Sequence, residues 1–197
     1  MSNMRYKSFS AIVLLSASMI ANADVNESAV QSTIKTFKDN AQIAPFFENA
    51  YAYAVYPNIT KGGIIVGFGE GEGVVYKQGD KVGTSEVTAF SIGAQLGAQT
   101  YSQVIFLENK EAYTNFLAQG TVLDLNASAA FITLGANAQV GTGGVSSSAS
   151  TGEMAANTNP KINGNYTNSI ATFVLTKAGL MGQATIGGQT FEFKSND

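Results

Sequence analysis

Glu70 and Glu72 stand two residues apart, in a stretch where glycine recurs at Gly67, Gly69, Gly71 and Gly73. On a strand, residues two apart share a face, so the two carboxylates would project together with α-carbons roughly 6.5–7 Å apart. Paired carboxylates are what glycosidases use for acid–base work. With Asp80 they would also offer an oxygen-ligand set for calcium. The plainer assignment is two solvated charges that keep a glycine-rich hairpin soluble. A phosphate-cradling loop is disfavoured, because that fingerprint needs a strand before the glycines and a helix after them. Here Val74-Val75-Tyr76 follows as a second strand-like run, and two glutamates would repel phosphate. The alternating glycines leave one strand face bare, which favours close approach of another backbone, a bulge or a sharp bend.

The rest of the composition narrows the chemistry further. The chain has no histidine and no cysteine. The commonest zinc, copper and iron ligands are therefore missing, as are Ser–His and Cys–His nucleophile pairs. Neither a catalytic set, nor a metal site, nor a cofactor is expected. Residues 1–23 read as a secretory signal peptide: basic Arg5 and Lys7, a short apolar run from Phe9 to Ile20, and Ala21-Asn22-Ala23 as the cleavage site. The run is too short to span a bilayer. The expected mature domain is residues 24–197, a length that suits one domain. Removing Arg5 and Lys7 from the 11 basic residues leaves nine lysines against 14 acidic residues. Such an acidic chain has no basic field for nucleic acid. With no cysteine there is neither a disulfide nor a lipoprotein anchor, so any membrane contact must be made by the fold itself, and the signal peptide alone fits a bacterial or a eukaryotic export route.

The elements that would make such contact begin with a helix over residues 24–40. Val30, Ile34, Phe37 and Ala41 line one face. Asp24 or Asn26 would cap the helix, with Glu27 in the first turn. Its apolar face can pack on the domain. Alternatively the helix can lie on a membrane, with Lys35 and Lys38 at the headgroups and Phe37 inserted.

A short helix is expected over 45–50 and a strand over 51–56, ended by the Pro57-Asn58 turn signal. Gln78-Gly79-Asp80 marks another turn. Residues 84–97 alternate, with Phe90, Ile92, Ala94 and Leu96 on one face. A strand over 101–107 and a helix over 109–117 capped by Asn109 follow. Further strands are expected over 127–140, 166–175, 180–186 and 190–193, with Gly187-Gly188 as a hairpin signal. The tract 141–163 is rich in small polar residues and reads as a loop. Many strands joined by turns, with two or three helices, predict an α+β domain: a strongly coiled, barrel-like antiparallel sheet with the helices packed on it.

The segments AVYPNITKGGIIVGFGEGEGVVY, SIGAQLGAQTYSQVIFLENKEAYTNF, LDLNASAAF and GLMGQATIGGQTFEF, in that order, resemble the SYLF domain, the Ysc84 actin- and lipid-binding family. The resemblance covers roughly residues 28–193. It implies a non-enzymatic lipid-binding module and, with the signal peptide, an exported bacterial member located in the periplasm. In the family, lipid contact is attributed to the amphipathic N-terminal segment and nearby basic positions. Here these correspond to Ile34, Lys35, Phe37 and Lys38, and to Lys61 before the double glycine. The family often carries a basic residue among the glycines, where this chain has Glu70 and Glu72, so phosphoinositide binding is not implied as strongly. The expected partner is a phospholipid membrane surface. The alternative is an envelope protein without lipid affinity, contacting a protein partner through its small-residue strands.

Overall fold

A computed structural model describes residues 25–118, 121–124, 131–134 and 166–196. Its elements are α1 (Glu27–Lys38), α2 (Ala44–Asn49), β1 (Ala52–Gly63), β2 (Val66–Lys77), β3 (Asp80–Leu107), α3 (Lys110–Leu117), β4 (Thr121–Asp124), β5 (Phe131–Leu134) and β6 (Ile170–Ser195). The domain is α+β. The expected signal peptide and the 141–163 tract lie outside the described residues. So does most of the strand expected over 127–140, of which β5 is the described part.

Local chemistry explains the boundaries. Asn26 caps α1, its side-chain oxygen accepting from the Ala29 N–H at 3.1 Å. Asn109 caps α3 in the same way through Ala112, at 2.9 Å. Each bond satisfies a helix-end donor that has no partner within the helix. Pro45 stands in the first turn of α2, where its missing N–H costs nothing. Gln78 and Gly79 join β2 to β3 with φ of 52° and 93°, the left-handed pair whose twist matches that of the flanking strands.

Three breaks expected from punctuation residues are not there. β1 runs through Pro57-Asn58, where its register against β2 shifts between Val55 and Asn58. A bulge is one place a sheet tolerates proline. The segments 84–97 and 101–107 are one strand of 28 residues, β3. Likewise β6 runs for 26 residues straight through Gly187-Gly188, which pair with Ser91 and Phe90. A Cβ on Gly187 would run into the Phe90 carbonyl oxygen, so glycine here serves close strand approach and not a turn.

All strand pairs are antiparallel except β5 with β6. β6 lies along one edge of β3 from Gly83 to Leu107. The other edge of β3 is shared: its first part pairs with β2, from Asp80 to Ile92, and its last part with β1, from Gly97 to Leu107. Since β1 and β2 also pair with each other, the sheet must curl tightly. It is not closed into a barrel.

Alternate residues separate two cores on the two sheet faces. Val55, Val74, Val104, Phe106 and Phe173 pack under α1 and α2. Ala54, Tyr56, Val75, Ile105, Leu107 and Val174 face the other way, with Phe116 of α3 and Phe191. Phe46 of α2 is central to the first core, its ring 5.3 Å from Phe106 and 5.0 Å from Phe173.

The inner side of the curl is also where the bare glycine face lies. A Cβ on Gly73 would sit 2.5 Å from both Tyr56 Cδ1 and the Val55 carbonyl oxygen. At Gly71 the Asn58 carbonyl oxygen and Ile59 Cγ1 stand 2.7 Å from that position. Gly73→Ala is therefore expected to cost about 1–3 kcal/mol of unfolding free energy, the usual cost of overpacking. Urea unfolding checks this, and a loss under about 0.5 kcal/mol would mean that β1 can retreat.

The same inner side holds a polar pin. Gln103 Nε2 donates to Gln189 Oε1 at 2.7 Å, Gln189 Nε2 returns a bond to Gln103 Oε1 at 2.9 Å, and Gln189 Nε2 also reaches the Tyr101 hydroxyl at 3.3 Å. In the ladder, Gln103 lies beside Val174 and Gln189 beside Ala89. The amide pair therefore bridges two distant parts of the β3–β6 ribbon across the inside of the curl. Burial pushes the Tyr101 hydroxyl up to about 12, so it remains a neutral O–H.

Candidate lipid-facing site

Helix α1 presents Ile34 and Phe37 to the sheet. Phe37 is 1% exposed and Ile34 8%, both in the core beneath α1 and α2. While α1 stays docked, that face is spent on the domain and cannot enter a membrane. The helix is tied down at its start by Glu27. The carboxylate accepts from Gln31 Nε2 at 3.0 Å, from the Tyr76 hydroxyl at 3.1 Å and from Lys81 Nζ at 3.0 Å. The bonds from Gln31 and Lys81 hold its carboxyl below the usual carboxylate range.

Lys35 and Lys38 point outward. Lys35 pairs with Asp39 at 2.8 Å, and the Lys38 ammonium lies 5.2 Å above the Phe47 ring. Lys61 is elsewhere. It shares the inner side of β1 with Ile59, beside Gly69 in the ladder, and is only 7% exposed. Burial pulls its ammonium below the ordinary lysine value. The five residues named from sequence thus occupy three environments: buried core, outer helix face and the inside of the curl. They do not form one surface.

The carboxylates also separate. Glu70 and Glu72 do share a face, opposite Thr88 and Glu86 of β3. Asp80 sits at the far end of that hairpin, paired with Lys77, so the three do not converge. Lys194 forms an ion pair with Glu86. Among the described residues no group of three acidic side chains could hold a metal ion.

A different surface stands out. Every large apolar side chain exposed among the described residues lies at one end of the sheet: Ile64 and Ile65 (67% and 69% exposed), Val66, Phe68, Phe90, Ile92 and Leu96. Ile64 and Ile65 make the turn between β1 and β2. Val66 pairs with Ile92, and Phe68 with Phe90, so four of these side chains form two cross-strand pairs on one face. That face of β2 reads in order from the turn: Val66 and Phe68 exposed, then Glu70 and Glu72, then Val74 and Tyr76 buried under α1. The helices cover one end of the face, two glutamates band its middle, and the other end is bare and apolar.

The alternation of Phe90, Ile92, Ala94 and Leu96 is legible in the sequence, but its junction with the Ile64–Val66 run is not. The available signal was charge. No Asp, Glu, Lys or Arg occurs in 62–69, 87–107 or 178–191. The ladder brings these three tracts together through Gly63 beside Gly97, Val66 beside Ile92, and Phe90 beside Gly188. Contiguous exposed apolar surface of this kind marks interaction sites on soluble domains. No described helix is long and apolar enough to cross a membrane.

Comparison with curated proteins returns no match. A family model described as Ysc84, Las17-binding protein actin regulator, matches residues 88–197, from within β3 to the end of the chain.

Proposed function

From the fact that this chain belongs to the Ysc84 (SYLF) family, we propose that it is a non-enzymatic protein that binds phospholipid membranes peripherally, in the periplasm after removal of residues 1–23. The family is a binding-domain family linked to lipid and actin. Las17 and actin belong to the family's description, and the reading for this chain rests on lipid. The observation that carries it is the apolar end of the sheet, from Ile64 to Phe68 with Phe90, Ile92 and Leu96. A solvent-facing surface of this kind gains by leaving water, and a bilayer supplies an apolar phase without a specific partner. The α1 lysines lie outside this surface and serve at most as a second contact.

Co-sedimentation of the exported protein with phospholipid vesicles tests the reading. The protein is expected to pellet with vesicles and to stay in solution without them, and its N-terminal sequence to begin at Asp24. A protein that stays in solution at every lipid concentration sinks the membrane reading. The apolar end would then belong to a protein of the envelope.

A further inference from the structure

Resting on the reading of the apolar end as the membrane-facing surface, we infer that this end recognises the acyl region of the bilayer and not headgroup charge, with the Ile64-Ile65 turn as the inserted tip. The occupant is the acyl region of a phospholipid bilayer, and zwitterionic lipid serves as well as anionic lipid.

Four observations support this. The tip carries no charge at all: the nearest charged residues along the hairpin are Lys61 on β1 and Glu70 on β2. Lys61 is turned into the curl and buried, so it is not presented to headgroups. The exposed charges bordering the apolar end are Glu70, with Glu72 behind it, and Lys177, which donates to Asn58 beside Glu72, so the border offers anionic headgroups no net positive charge. Finally, the backbone at the tip is prepared for an apolar medium. The β1–β2 ladder continues to Gly63 beside Gly67, leaving three residues outside it, of which Val66 pairs instead with Ile92 of β3, and backbone groups that enter hydrocarbon must already be paired. An exposed turn with apolar side chains on it enters between lipids, whereas lysines that reach for phosphates would give charge-dependent binding.

The chain has no tryptophan, so Ile65→Trp places a single reporter at the tip. Its emission is expected to shift to the blue with vesicles of zwitterionic phosphatidylcholine and to be quenched by lipids brominated on the acyl chain. Affinity is expected to change less than about threefold when anionic phosphatidylglycerol is added or when salt is raised through the range that screens surface charge. Small, highly curved vesicles are expected to bind better than large ones. Ile64→Ser with Ile65→Ser should weaken binding at least tenfold and leave the melting temperature unchanged, because both side chains are mostly exposed. Lys35→Ser with Lys38→Ser should leave affinity unchanged.

Binding that requires phosphatidylglycerol, falls with salt and survives the double serine change would overturn the inference while leaving the protein a membrane binder. A protein that binds no vesicle of either composition would overturn the membrane reading itself, and this inference with it.

Discussion

Phe37→Asp is expected to lower the unfolding free energy by about 4 kcal/mol or more. Removing a buried phenylalanine ring alone costs roughly 3–5 kcal/mol, and an unpaired carboxylate in its place adds a desolvation penalty. Phe37 lies in the core with Val30, Ile34, Ile43 and Phe46, against Val74 and Tyr76 of β2. Charge there must either eject α1 or protonate. A whole domain is stable by only about 5–15 kcal/mol, so the variant sits near the edge of folding. Urea unfolding followed by circular dichroism measures the loss. If Phe37 instead served a membrane, the variant would keep its stability and lose only vesicle binding. An unfolding midpoint equal to that of the parent chain would therefore show that α1 is not held where the packing puts it.

The second large effect concerns the amide pin. Gln189→Leu leaves Gln103 with a buried amide and Tyr101 without its donor. Each buried polar group left unpaired costs about 1–3 kcal/mol, so a loss of roughly 2–4 kcal/mol is expected. Gln103→Leu should cost less, because Gln189 keeps its contact with Tyr101. The double change removes both amides together and should cost clearly less than the two single losses added. That non-additivity reports direct coupling. Strict additivity in urea unfolding would mean that the two glutamines do not meet across the curl.

The parts of the fold that were legible in sequence are those fixed by local chemistry. Asn26 and Asn109 cap helices because their side chains imitate a missing carbonyl, and that signal needs no tertiary information. The Gln78-Gly79 turn is equally local. What misled was punctuation whose meaning depends on neighbours. Pro57 and Gly187-Gly188 read as turns, yet each lies inside a strand, because β2 and β3 lie alongside and absorb the irregularity. The candidate site failed for a related reason. Periodicity showed that Ile34 and Phe37 share a face but not what covers it, and the sheet covers it. Phe68 and Phe90 are far apart in sequence and become one surface only through the register of β2 with β3. The alternating glycines were readable as a bare face open to close approach, and β1 is the backbone that approaches.

The length of β3 and β6 sets the order in which the molecule can be built. Gly83, near the start of β3, pairs with Ser195, almost the last residue of the chain, and Leu107 pairs with Ile170. None of these bonds can form until the C-terminal strand has been synthesised. Until then, β1, β2 and β3 have an open edge along β3, and the first core lacks Ala171 and Phe173. Such non-local pairing makes folding slow, so the emerging chain spends a long interval without its final strand. The export proposed above would be served by that delay, because the domain cannot lock before its C-terminal strand arrives. It also means that the chain must be shielded on the way. The unpaired edge of β3 and the apolar stretch from Ile64 to Phe68 are together the surface that a holding chaperone would meet first.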